Sequence, residues 1–103
     1  MILNILMHYN KKINCYTQPI FIDIEPEKVA IQESRSIQVC HDVEKIRPYE
    51  NLKLVYIGVF DDSTGEIRLT DENGDELKRD LLDCSKIVKN RIKELTPKKG
   101  VSA

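Results

Sequence analysis

Few side chains in this sequence could bind a metal or act as a nucleophile: His8 and His41, and Cys15, Cys40 and Cys84. A structural zinc site takes four soft or imidazole ligands, usually including a closely spaced cysteine pair. No C-x-x-C occurs here, and in Cys40-His41 the two donors are neighbours, which a regular element points in different directions. The same adjacency argues against a thiol activated by the next residue, so Cys40 reads as a small core side chain. Asp71-x-Asn73-x-Asp75 has the opening spacing of a calcium loop. An EF-hand then needs glycine at its sixth position and glutamate at its twelfth, where Glu76 and Leu82 stand, so the segment reads as a solvated turn. The carboxylate pairs Asp61/Asp62 and Asp71/Glu72 lie in turn chemistry, with no apolar pocket to raise a pKa. There is no G-x-S-x-G elbow, phosphate loop or dinucleotide fingerprint. These residues predict a protein that is not an enzyme and that uses no metal and no cofactor.

Binding chemistry is better represented. Lys86, Lys89, Arg91, Lys93, Lys98 and Lys99 lie on or just past an amphipathic helical pattern, a candidate nucleic-acid contact through phosphates. The competing reading is a solvated polar face whose lysines favour the helix C-terminal dipole. Six aromatics, Tyr9, Tyr16, Phe21, Tyr49, Tyr56 and Phe60, are the available stacking surfaces for unpaired bases. Tyr56 and Phe60, four apart in one strand, are expected to share a face, either as core or as a platform. The acidic Asp61, Asp62 and Glu66 are candidate protein contacts.

The elements that must position these groups fit into 103 residues, enough for one domain, read as 1–96 with a flexible tail at 97–103. Hydrophobic residues make up 41%, a globular level, and the net charge of −1 excludes a uniformly basic nucleic-acid coat. No apolar run approaches the roughly 18 residues of a membrane span. Met1–Met7 is apolar but lacks a basic n-region and a small-residue cleavage site, so it reads as the start of a first strand at about Ile2–Tyr9. Three widely spaced cysteines make a poor disulfide framework and suit a reducing compartment. The near-neutral total conceals an acidic middle, nine acidic against three basic groups over 61–83, and a basic end, six against one over 84–103.

Gln18-Pro19 interrupts a second extended stretch, and Ile20, Ile22 and Ile24 alternate as a half-buried strand. Residues 25–42 admit two readings. Pro26 and Glu27 open a helix whose inner face holds Val29, Ala30, Ile37 and Cys40 with a polar gap at Glu33. Val29/Ile31 and Ile37/Val39 also alternate as strands do. Leu52–Phe60 is the clearest strand, apolar on both faces and therefore central. Asp61–Gly65 is a turn, Glu66–Leu69 its returning partner, and Asn73-Gly74 a hairpin signal. A last helix has the stripe Leu81, Cys84, Val88, Ile92 and Leu95, with Asp80 as its cap and Pro97 as its end.

Pro48–Glu66 (PYENLKLVYIGVFDDSTGE) resembles the small nonstructural protein of gokushovirus-type microviruses, which are single-stranded DNA phages. Gln18-Pro19-Ile20-Phe21 matches that family's second strand, Ala30-Ile31 its helix start and Glu50-Asn51 its acidic pair. Ile57–Glu66 matches its signature strand end and turn, while the family helix's internal aromatic is absent near Ser34 and Arg35. The resemblance spans about residues 1–67. It implies helix over 26–41, and an α+β fold with a small antiparallel sheet packed by one or two helices, including the C-terminal amphipathic helix. It also implies a non-enzymatic phage accessory protein in the cytoplasm of the bacterial host. Such a protein would assist viral DNA replication or single-strand genome packaging by binding single-stranded DNA or a viral or host replication or packaging protein. The alternative expectation is a protein-only adaptor or host-directed inhibitor acting as a homodimer.

Overall fold

The structure is a computed structural model and describes residues 1–96; the tail expected at 97–103, with Lys98 and Lys99, lies outside the described residues. The chain folds as α+β, with an antiparallel sheet on one side and helices on the other. Two long strands, β1 (Ile2–Asn10) and β4 (Leu52–Asp61), pair along their whole length. Each carries an interrupted lane on its outer side. Strand β2 (Cys15–Tyr16) pairs with the end of β1 and β3 (Ile20–Ile22) with its middle. The break falls at Thr17–Pro19, where proline has no N–H to give to a ladder. Strands β5 (Ile67–Arg68) and β6 (Arg79–Leu82) both pair with β4, and the chain between them makes a hairpin excursion.

That excursion is turn chemistry throughout. Leu77 N–H reaches Leu69 O, Thr70 bridges Glu76, and Gly74 takes a φ of 81°. The Asp71 carboxylate accepts from the backbone N–H groups of Asn73 and Asp75, which accounts for the Asp-x-Asn-x-Asp spacing. The β4–β5 turn uses Asp61 in the same way: its carboxylate accepts from Ser63 N–H, and Gly65 at φ 76° turns the chain back.

The ambiguous segment is a helix, α1 (Pro26–Val39), with proline in its first turn. Pro26, Ala30 and Ile37 are buried, and Val29 packs beside Ala30. The strand-like alternation arises from Ile31 and Val39, two apolar residues on the outer face, Ile31 at 50% exposure. A short helix α2 (Val43–Ile46) and a 3-10 turn (Arg47–Tyr49) lead into β4. The last helix, α3 (Cys84–Leu95), starts three residues later than the apolar stripe predicts. Leu81 belongs to β6, Asp80 is not the cap but pairs with Lys53, and Asp83 holds the N-cap position. Leu81 is the extra residue where the β6–β4 register shifts, and its apolar side chain packs on the Leu6, Ala30, Leu54 and Tyr56 cluster from a strand.

Two clusters form the core between helices and sheet. Leu6, Leu54 and Tyr56 meet Ala30 of α1, and Leu52, Ile37 and Ile46 meet Cys84 and Val88 of α3. A register shift in the β1–β4 ladder inserts an extra residue, because Ile5 faces Gly58 while Leu6 faces Tyr56. This corrects the expectation for Tyr56 and Phe60. The bulge reverses the alternation between them, so Tyr56 joins the helix-side core while Phe60 meets Phe21 on the other face.

Candidate functional site

The sheet face turned away from the helices carries Ile5, Met7 and Tyr9 from β1 and Lys53, Val55 and Phe60 from β4. Ile5 and Val55 are 3% and 0% exposed with no helix over them. Long side chains reach across the strands on this face. Lys78, just before β6, places its ammonium 4.8 Å from the ring centroid of Tyr16, although β2 and β6 flank opposite edges. Flat, those lanes would stand about three strand spacings of roughly 4.8 Å apart.

An aromatic and cationic surface results. Tyr9 and Tyr16 stack with centroids 4.8 Å apart and planes at 21°. Lys53 lies 5.3 Å from the Tyr9 centroid while its ammonium also meets Asp80 at 3.0 Å. The Tyr9 hydroxyl donates to Asn14 Oδ1 at 3.0 Å, fixing the ring's tilt. Farther along the same face Phe21 sets its edge on Phe60 at 5.3 Å. Tyr16 and Phe21 are 42% and 45% exposed, more than aromatics that only fill a core. Of the six aromatics in the sequence, the structure thus brings four to one face, while Tyr49 and Tyr56 pack on the helix side.

The basic helix is divided by its packing. Lys86, Lys89 and Lys93 recur at helical spacing on the exposed side of α3, and among the described residues none forms an ion pair. Arg91 is committed internally. Its guanidinium donates to Cys40 O at 2.8 Å and to Glu94 at 2.9 Å, and it lies beside His41. The α3 lysines sit on the opposite side of the sheet from the aromatic face, so one short strand cannot lie on both. Asp61 and Asp62 are occupied by the turn they build, Asp62 meeting the Met1 ammonium at 2.8 Å. The Ser63 backbone N–H holds the Asp61 carboxyl below its usual range. Glu66 lines an open hollow with Arg68, Thr70, Glu72 and Leu77.

A third group lies inside the helix-side core. His8 of β1, Glu33 of α1 and Cys84 of α3 bring their donor atoms within 4.8 Å of one another. His8 Nε2 is 2.7 Å from Glu33 Oε1, and the Cys84 thiol donates to Glu33 Oε2 at 3.4 Å. The Tyr49 ring sets an edge against the imidazole at 5.9 Å. Burial, then the Glu33 charge, pushes the Cys84 thiol up to about 12. The only sequence signal for this cluster is the polar gap at 33 in an otherwise apolar helix face. The Cys40-His41 pair is not a unit, since the Cys40 thiol contacts Asp42 O and His41 lies beside Arg91. Among the described residues no helix is long and apolar enough to cross a membrane. No family model matches the chain, nor does any curated protein sequence or any solved structure.

Proposed function

We propose that this chain is a non-enzymatic accessory protein of a single-stranded DNA phage that binds single-stranded DNA through the helix-free face of its sheet. Its place of action is the host cytoplasm, during genome replication or packaging. The phage assignment rests on the resemblance of Pro48–Glu66 to the microvirus protein. The DNA-binding assignment rests on one observation: two exposed aromatics, Tyr16 and Phe21, share a face with Tyr9, Phe60, Lys53 and Lys78. Proteins that hold single strands without reading sequence combine stacking rings with cations that follow the backbone.

The geometry suggests how each group works. Tyr9 stacks on the Tyr16 ring, and the Lys78 ammonium also sits over that ring. A base entering the stack displaces Lys78 from the ring, and the freed ammonium then meets the neighbouring phosphate. The cation–π attraction given up is at an exposed site and weak beside a stacked base, so the exchange is favourable.

The test is fluorescence anisotropy with a labelled oligothymidylate over a salt series. Binding at low ionic strength that weakens steadily with salt is expected. Tyr16→Ala is expected to weaken it about 5- to 150-fold, the equivalent of one stacked base. Absence of binding at low ionic strength by the folded protein overturns the proposal.

A further inference from the structure

We infer that His8, Glu33 and Cys84 form a binding site for one zinc-class divalent ion, with His8 Nε2, a Glu33 carboxylate oxygen and Cys84 Sγ as its protein ligands. This is independent of the DNA-binding proposal, because the cluster lies in the helix-side core and shares no residue with the aromatic face.

The donor set comes first. Imidazole, carboxylate and thiolate together suit zinc and its neighbours rather than calcium or magnesium, which take oxygen alone. Spacing comes second. Ligand atoms about 2.0–2.3 Å from a zinc ion in tetrahedral array lie roughly 3.3–3.8 Å from one another. His8 Nε2 stands 2.7 Å from Glu33 Oε1 and Cys84 Sγ 3.4 Å from Oε2, with the three donors within 4.8 Å of one another, so side-chain rotation that brings one carboxylate oxygen toward both partners reaches that range.

Positioning is the third argument. The three ligands come from three elements, the second half of β1, the inner face of α1 and the first turn of α3. Each is held beside core side chains: Leu6 two residues before His8 packs with Ala30 of α1, and Ile37, one turn on from Glu33, packs with Cys84 and Val88 of α3. Packing of the core thus gathers the donors before any ion arrives. A glutamate facing inward between Ala30 and Ile37 is also costly for a helix to keep. An ionised carboxylate has about four acceptor sites, and here it has one imidazole nitrogen and one weak thiol donor.

Access is the fourth. Glu33 forms part of the wall of an open groove of about 420 Å³, together with Gln32, Ser36, Cys40, Lys45 and Tyr49. An ion can enter there, and water from the groove supplies the fourth ligand, the arrangement of three protein donors plus one exchangeable position. On binding, the thiol S–H bond breaks, its proton leaves to solvent, and the sulfur lone pair forms the bond to the metal.

The experiment is titration of the metal-free, reduced full-length protein with Co²⁺ and then displacement by Zn²⁺. One equivalent of Co²⁺ is expected to give a thiolate-to-cobalt charge-transfer band and tetrahedral visible bands, both of which disappear on adding one equivalent of Zn²⁺. Cys84→Ser is expected to abolish the charge-transfer band. His8→Gln and Glu33→Gln are each expected to weaken Zn²⁺ binding at least about 10-fold. Cys15→Ser and Cys40→Ser are expected to leave band and affinity unchanged. Absence of the band in the folded wild-type protein overturns the site, whatever the variants do. A band that persists in Cys84→Ser, or disappears in Cys40→Ser, places the ion elsewhere and also overturns it.

Discussion

At Gly58 the chain tolerates no side chain, for reasons of space rather than of backbone angle. A Cβ there would stand 2.3 Å from the carbonyl oxygen of Arg68, part of the neighbouring backbone, and 3.1 Å from Leu69 Cδ2. With the neighbouring backbone this close, Gly58→Ala forces the β4–β5 lane apart. A loss of about 1–3 kcal/mol is expected, read from urea unfolding. Asp83 offers a second test at this scale. Burial raises its carboxyl, but hydrogen bonds from Ser85 and Lys11, with the charges of Lys11 and Lys86, outweigh it and hold the group at about 2 against an ordinary 3.8. A carboxylate depressed on folding contributes stability above its unfolded pKa and loses that contribution as pH falls through the folded value. The stability difference between the native protein and Asp83→Asn is therefore expected to be constant above about pH 5 and to vanish toward pH 2. Its plateau is expected below about 1 kcal/mol, since the Lys11–Asp83 pair is well exposed.

Among the elements, α1 shows how packing settles what pattern leaves open. Its inner face holds Ile37 at 2% exposure while Ile31 stands out in solvent. Ile37→Ala is expected to cost about 2–5 kcal/mol and Ile31→Ala no more than about 0.5, a contrast that denaturant midpoints would reveal and that a strand over this segment would not produce. The elements legible in the sequence were those with long uniform patterns: β1, β4, the two hairpin turns and the body of α3. The rest depended on partners distant in the chain. Nothing local marks the bulge that separates Tyr56 from Phe60, because it is set by how β1 lies along β4. The start of α3 departs from the apolar stripe because Leu81 is equally apolar in β6. Glu33 read as a gap because the two residues that meet it are 25 positions before and 51 after. The aromatic face was legible only as six separate rings, four of which the sheet gathers.

For the whole molecule, among the described residues the acidic middle and basic end of the chain form no ion pair with each other. Asp80 and Asp83 take Lys53 and Lys11 from the body, and Arg79 pairs with Glu27 of α1. That leaves Lys86, Lys89 and Lys93 as a free positive stripe on the side of the molecule away from the aromatic face. Reversing all three to glutamate is expected to reduce the salt sensitivity of oligothymidylate binding and slow association, while changing affinity at moderate salt less than Tyr16→Ala does, as measured by anisotropy and stopped flow. A larger effect from the triple variant would move the binding surface to α3. The interrupted lane on β4 bears on how such measurements can be made. Between β5 and β6 the chain leaves the sheet, turns at Asn73-Gly74 and returns. Residues at that tip support no core cluster and no candidate ligand, and closing a longer loop there costs little. The excursion is thus a natural attachment point, where a fluorophore, an affinity peptide or a second domain can be spliced in away from both core clusters.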